Sequence, residues 1–157
     1  MKKAILPLLA VLALAFSFSS CEHQTMRTAE VTIYPWVDYS THWVTNNNVS
    51  YYYCTIHWDE LTPDVVDYGL VNAYLVNKET GIQDMLPLVT PITYIGLFDA
   101  NGDGFVDDND VYTTPENIRF DVRYGEITFI IQDLDGELPD DMANTLPLTF
   151  RIVAIGD

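Results

Sequence analysis

The apolar residues of this chain recur at every second position instead of at helical spacing. The pattern is clearest over residues 119–124 and 125–132, where apolar side chains alternate along each run. A period of two places successive side chains on opposite faces of a β-strand. The two runs meet at Tyr124 and Gly125, and glycine favours a tight turn, so we predict a β-hairpin there.

Other segments are rich in β-branched and aromatic residues and are separated by turn-forming clusters. These further predicted strands cover residues 30–37, 49–58, 65–76, 86–98 and 146–155. The polar tract over 133–143 is predicted to be a loop containing a helical turn. Several such strands without a long amphipathic helix predict an all-β fold, an antiparallel immunoglobulin-like β-sandwich.

The amino terminus has the features of an export signal. Lys2 and Lys3 precede an apolar run over residues 4–18, which is shorter than the roughly 20 residues of a membrane-spanning helix. The small residues before Cys21 resemble a bacterial lipoprotein cleavage box, which implies that Cys21 is lipidated and anchors the chain to a membrane. The alternative is an ordinary secretory signal with Cys21 incidental. Both alternatives place the protein outside the cytoplasm.

These features divide the chain into a lipoprotein signal peptide (1–20), a polar lipidated tether (21–29) and one β-sandwich domain (30–157). Besides Cys21, Cys54 is the other cysteine of the sequence. Lipidation of Cys21 would therefore leave no intrachain disulfide, and packing must hold the fold.

The chain is strongly acidic, with 23 Asp and Glu against 7 Lys and Arg and a net charge of −16. Such a surface repels nucleic acid, so we predict no nucleic-acid partner, and it favours cations. The alternative is that the charge serves mainly to keep the domain soluble and monomeric.

One acidic segment, residues 99–110, has the spacing of a calcium-binding loop. Side-chain oxygens stand at loop positions one, three, five, nine and twelve, and Gly104 at position six permits the sharp turn that such loops need. Ca²⁺ prefers six to eight oxygen ligands. The predicted ligands are Asp99, Asn101, Asp103, the backbone carbonyl of Phe105, Asp107 and Asp110.

The segment resembles the loop of a dockerin repeat, in which an aspartate also closes the twelve residues. Its flanks differ from a helical hinge, because residues 92–98 have strand-like composition and Pro115 follows closely. We therefore predict one Ca²⁺ that orders a connection between strands, and a dockerin-like adaptor, which requires two such repeats, is less favoured. The alternative is a solvated turn, because turns favour Asp, Asn and Gly.

The strand predicted over 49–58 places Tyr51 and Tyr53 on one face and Cys54 on the other. Exposed tyrosines with Trp36 or Trp43 nearby would suit recognition of a glycan or a protein. The alternative is that the tyrosines pack against neighbouring strands or loops. The sequence has no serine in a nucleophile elbow, no glycine-rich phosphate loop and no zinc-ligand spacing, so we predict that the protein is not an enzyme.

Several strand segments resemble small lipoproteins common in Bacteroidota. The segments are 69–74, 86–88 with 92–94, 127–130 and 150–153. The resemblance implies a lipidated β-sandwich and carries over no catalytic residue. Together these inferences predict a noncatalytic calcium-binding lipoprotein of the outer membrane or cell surface, the alternative being a carbohydrate- or protein-binding module.

Overall fold

The computed structural model describes residues 24–36, 38–46, 48–139 and 141–156. The predicted signal peptide (1–20) and the predicted lipidation site Cys21 lie outside these residues. Within the described ranges, no helix is both long enough and apolar enough to cross a bilayer.

The alternating sequence forms two four-stranded antiparallel sheets. This result confirms the all-β sandwich predicted from the sequence. The strands are β1 (Thr25–Ile33), β2 (Tyr52–His57), β3 (Leu70–Val76), β4 (Gln83–Met85), β5 (Leu88–Ile95), β6 (Val111–Arg123), β7 (Glu126–Asp133) and β8 (Leu148–Gly156). A short helix, α1 (Pro63–Tyr68), and a 3₁₀ turn (Met142–Asn144) complete the regular structure of the described ranges.

The strand order is nested. One sheet has the order β1-β8-β3-β4 and the other β2-β7-β6-β5, so the first described strand pairs with the last and the second with the one before the last. This order differs from the ABED and CFG sheets of an immunoglobulin constant domain. The predicted β6–β7 hairpin is confirmed, because β6 ends at Arg123, β7 begins at Glu126 and Gly125 has a φ of 74°.

The core lies between the two sheets. Phe129 of β7 and Phe150 of β8 stack with ring centroids 4.3 Å apart, and Trp43 packs edge-on against Phe150 at 6.2 Å. All three side chains are buried, as is the free thiol of Cys54. Aromatic rings contributed by both sheets therefore hold the sandwich together.

Helix α1 corrects the predicted strand over 65–76. The Thr62 hydroxyl accepts a hydrogen bond from the Val65 amide at 3.3 Å, and Pro63 occupies the first turn, where its missing N–H costs nothing. Val65 is fully buried against the end of β8. The strand β3 consequently begins only at Leu70.

The predicted tether over 21–29 is also corrected. Residues from Thr25 onward belong to β1, which pairs with β8 from Thr25 opposite Gly156 to Ile33 opposite Leu148. Its early residues are polar because β1 is an edge strand with one face in solvent, so its composition resembles that of a loop. The part of the tether over 21–23 lies outside the described residues.

Candidate functional site

Two strands hold the ends of the acidic loop, as the sequence predicted. Ile95 of β5 and Val111 of β6 form the last register pair before the loop. One step beyond, the Gly96 amide donates a hydrogen bond to the Asp110 carbonyl at 2.8 Å. The sheet therefore fixes the distance between the loop ends, and no helical hinge enters or leaves the loop.

Aromatic side chains support the loop base. Phe98 lies against Tyr112 with ring centroids 4.5 Å apart, and Tyr112 stacks on Tyr94 at 5.2 Å. The Tyr94 hydroxyl donates a hydrogen bond to Oε1 of Glu116 at 3.0 Å, and both of these residues are fully buried. This stack connects the entrance of the loop to the interior of the sandwich.

Asp110 organises the loop from within. Its Oδ1 accepts hydrogen bonds from the amides of Ala100 at 2.9 Å and Asn101 at 3.1 Å, and its Oδ2 accepts one from Asp107 at 2.9 Å. The side chain is inaccessible to solvent, whereas the other residues of the loop are exposed. The hydrogen bonds from Asp107 and Asn101, with a further one from Ala100, hold the pKa of Asp110 below its ordinary value because they stabilise the ionised carboxylate.

Asp99 clamps the first half of the loop. Its Oδ1 accepts a hydrogen bond from the Gly102 amide at 2.6 Å and its Oδ2 one from the Gly104 amide at 2.9 Å. Both glycines have positive φ, 79° for Gly102 and 90° for Gly104, which turns their amides toward the Asp99 carboxylate. The expected sharp turn at Gly104 is therefore present.

The remaining side chains among the predicted ligands each cap the amide two residues ahead. The Asn101 side chain accepts a hydrogen bond from the Asp103 amide at 2.9 Å, and the Asp103 side chain accepts one from the Phe105 amide at 2.9 Å. The Asp107 side chain accepts a hydrogen bond from the Asn109 amide at 2.7 Å. Such local bonds are what Asp and Asn supply in solvated turns. They leave acceptor capacity, because an ionised carboxylate offers about four lone-pair sites and Asp103 and Asp107 each use one of them here.

The carboxylates are not gathered around one centre. Among residues 24–36, 38–46, 48–139 and 141–156, no three His, Cys, Asp or Glu side chains lie close enough together to hold a metal ion. Phe105, whose carbonyl was a predicted ligand, is 74% exposed. The donor chemistry therefore suits Ca²⁺, but the loop is not a preassembled metal site.

The two predicted face tyrosines do lie together on the outer face of β2 and its neighbours. The rings of Tyr51 and Tyr53 meet edge to face at 6.1 Å, and the Arg119 guanidinium stands 5.7 Å from the Tyr51 ring centre. Both tyrosines are half-buried. Trp43 is in the core instead, while Trp36 is 46% exposed and packs on Tyr39.

Glu116 is the residue of this region that sequence reasoning missed. The signal was present, because Glu116 has the same parity as the inward-facing Ile118 on β6 and so faces the core. Its hydrogen bond from Tyr94 compensates part of the cost of burying a carboxyl group.

Comparisons of the chain with protein-family models, with curated proteins and with solved structures find no match.

Proposed function

We propose that the protein is a noncatalytic lipoprotein of the cell envelope in which one Ca²⁺ orders the loop over residues 99–110. The observation that carries the proposal is the twelve-residue spacing of oxygen ligands, placed between two paired strands that fix both loop ends. The residues that would hold the ion are Asp99, Asn101, Asp103, Phe105, Asp107 and Asp110.

Electrostatics supports the same proposal. Five aspartates lie within the twelve residues, and the loop contains no Lys or Arg. Backbone amides compensate part of this charge at Asp99 and Asp110, but Asp103 and Asp107 each have only one such bond. A divalent cation would relieve the remaining repulsion and draw these exposed side chains inward.

The proposal is tested by titrating the protein with calcium, with NMR and thermal unfolding as the two measurements. We expect a dissociation constant of about 10⁻⁴ to 10⁻³ M, the range of extracellular calcium modules. At calcium ten times that value, binding would add about 1.4 kcal/mol to the free energy of unfolding. Magnesium should act more weakly, since it retains its waters and demands a tighter octahedron.

Asp103→Asn is the informative variant, and the chain offers a matched control. Asp103 and Asp135 each accept one hydrogen bond at 2.9 Å from the amide two residues ahead, and both are exposed. Asparagine keeps that bond and removes the charge in both cases. Calcium binding should weaken about tenfold or more in Asp103→Asn and stay unchanged in Asp135→Asn. A wild-type chain that does not respond to calcium would establish the solvated turn instead.

Lipidation has a separate test. Cys21→Ser should release the protein from the membrane fraction and remove the lipid mass from its amino terminus, whereas Cys54→Ala should leave both unchanged. Membrane association that survives Cys21→Ser would contradict the anchor without bearing on calcium.

A further inference from the structure

The outer face of the sheet formed by β2, β7 and β6 carries an ordered set of polar and aromatic side chains. Outward positions of the three strands align in register, so that they form three rows across the sheet. The rows are Tyr53, Ile130 and Arg119; Thr55, Thr128 and Asp121; and His57, Glu126 and Arg123.

Part of this face is sheltered from solvent. Ile130 points outward, opposite to the inward-facing Phe129 and Ile131, yet it is only 3% exposed and does not belong to the central core cluster. Ile130 lines a hollow of about 300 Å³, whose lining also includes Asn46, Val49, Tyr51 and Tyr53. That volume is at the lower end of small-molecule sites.

The polar lining of the hollow supplies both hydrogen-bond donors and acceptors. The carboxylates of Asp121 and Glu126 can accept hydrogen bonds, and the Arg123 guanidinium can donate them. The hydroxyls of Thr55 and Thr128, which are 2.9 Å apart, can donate or accept. Arg123 forms no ion pair with a carboxylate in the described part of the chain. A carboxylate and a guanidinium side by side match adjacent hydroxyl groups, since each hydroxyl both donates and accepts.

The tyrosine rings are held in position. Arg119 donates a hydrogen bond to the Gln132 side chain at 2.9 Å and faces the Tyr51 ring at 5.7 Å, while Tyr53 meets Tyr51 edge to face. The two rings are inclined by 71°, so each presents its own apolar surface, and a ring that is already fixed does so at little further cost in conformational entropy. A sugar ring has such an apolar face of C–H groups beside its hydroxyl edge.

Charge selects the class of ligand. The protein carries a net charge of −16, but on this face Arg119 and Arg123 balance Asp121 and Glu126. A polyanion would be repelled by the overall field, and a cation would find a more negative site at the acidic loop. A neutral polyhydroxyl compound meets neither obstacle. We propose that this face binds a neutral oligosaccharide, with Tyr53 and Tyr51 against the sugar ring and Asp121 and Arg123 on its hydroxyls.

The test screens the mature protein against arrays of neutral gluco-, manno-, galacto- and xylo-oligosaccharides, with uronate-containing and sulfated glycans alongside, and quantifies hits by calorimetry. Binding of a neutral glycan should fall about tenfold or more in Tyr53→Ala and in Asp121→Asn. The matched controls are Tyr68→Ala and Asp64→Asn on α1, where Tyr68 is 85% exposed, and they should bind like the wild type.

Melting temperatures of all variants separate lost recognition from lost folding. Tyr53→Phe keeps the ring and should retain most of the binding even where Tyr53→Ala is unstable. The proposal is overturned if no neutral glycan binds, if only anionic glycans bind, or if binding is the same in Asp121→Asn and the wild type. Because Asp121 lies on the sheet face and not in the acidic loop, these outcomes are independent of whether calcium binds.

Discussion

The Gly96 amide donates a hydrogen bond to the Asp110 carbonyl at 2.8 Å, which closes the acidic loop one step beyond the last paired residues of β5 and β6. Gly96 has a φ of 67°, and a Cβ added there would stand 3.3 Å from the Asp107 carbonyl oxygen. The loop closure therefore depends on a residue without a side chain.

Gly96→Ala should lower the free energy of unfolding by about 1 to 3 kcal/mol, because alanine is strained in a left-handed backbone conformation and its Cβ would also crowd the Asp107 carbonyl. Gly81→Ala is the control, since Gly81 has a φ of 75° with nothing within 4 Å of an added Cβ. Urea denaturation should give a larger loss for Gly96→Ala than for Gly81→Ala. Equal losses would mean that the contact with Asp107 does not matter.

The Asp110 carboxylate should make the loop sensitive to acid. Its pKa is lowered in the folded state, chiefly by the Asp107 amide and then by that of Asn101, so its contribution to stability is complete above the unfolded pKa of about 3.9. That contribution is lost as the pH falls below about 3.9 and through the lowered pKa of the folded state. Amide NMR shifts of Asp107 and Asn101 should titrate with a midpoint below about 3.9.

Asp110→Asn should abolish this titration and loosen the loop, because the amide group turns an N–H toward at least one of the backbone donors. Asp108→Asn changes the charge of an exposed neighbour in the same loop and should leave the titration in place. A midpoint at or above about 3.9 in the wild type would contradict the assigned role of Asp110.

The buried hydrogen bond from Tyr94 to Glu116 should contribute measurably to stability. Tyr94→Phe removes the donor and leaves Oε1 of Glu116 without it, which should cost about 1 to 3 kcal/mol in chemical denaturation. Tyr68→Phe, on an exposed tyrosine, should change the free energy of unfolding by less than about 0.5 kcal/mol. If both variants lose the same free energy of unfolding, the buried hydrogen bond contributes no more to stability than the exposed hydroxyl of Tyr68 does.

Burial raises the pKa of the Cys54 thiol to about 11, although the His42 amide opposes this shift. In a Cys21→Ser chain, Cys54 should therefore resist iodoacetamide near pH 8 and react readily once unfolded, where thiol pKa values are about 8.5. The thiol favours the folded state below about pH 8.5, and this preference declines as the pH rises toward about 11. Mass spectrometry measures the extent of alkylation of the folded and the unfolded chain, and denaturation at several pH values measures the change in stability; equally fast alkylation of folded and unfolded chains would contradict the burial of Cys54.

Particular residues show how far sequence reasoning reached. The β6–β7 hairpin followed from alternation and from Gly125, and the strand entering the loop followed from its β-branched and aromatic composition, which are local signals, whereas the first part of β6, over residues 111–118, was not predicted. Helix α1 was missed because Val65 and Val66 have strand propensity; the Thr62 cap and Pro63 were local signals for a helix start, and the burial of Val65 against the end of β8 also favours the helix. The early part of β1 was missed because an edge strand is polar on one face.

The sequence by itself determined the all-β class, the length of the acidic loop and the identity of its oxygen-bearing side chains, because periodicity and spacing are properties of neighbouring residues. Only the tertiary structure decided that the first described strand pairs with the last, and that Arg119, Asp121 and Arg123 share one face of a sheet with Tyr53. These arrangements join residues far apart in the chain, and their register depends on burying one shared core. No local pattern encodes that choice.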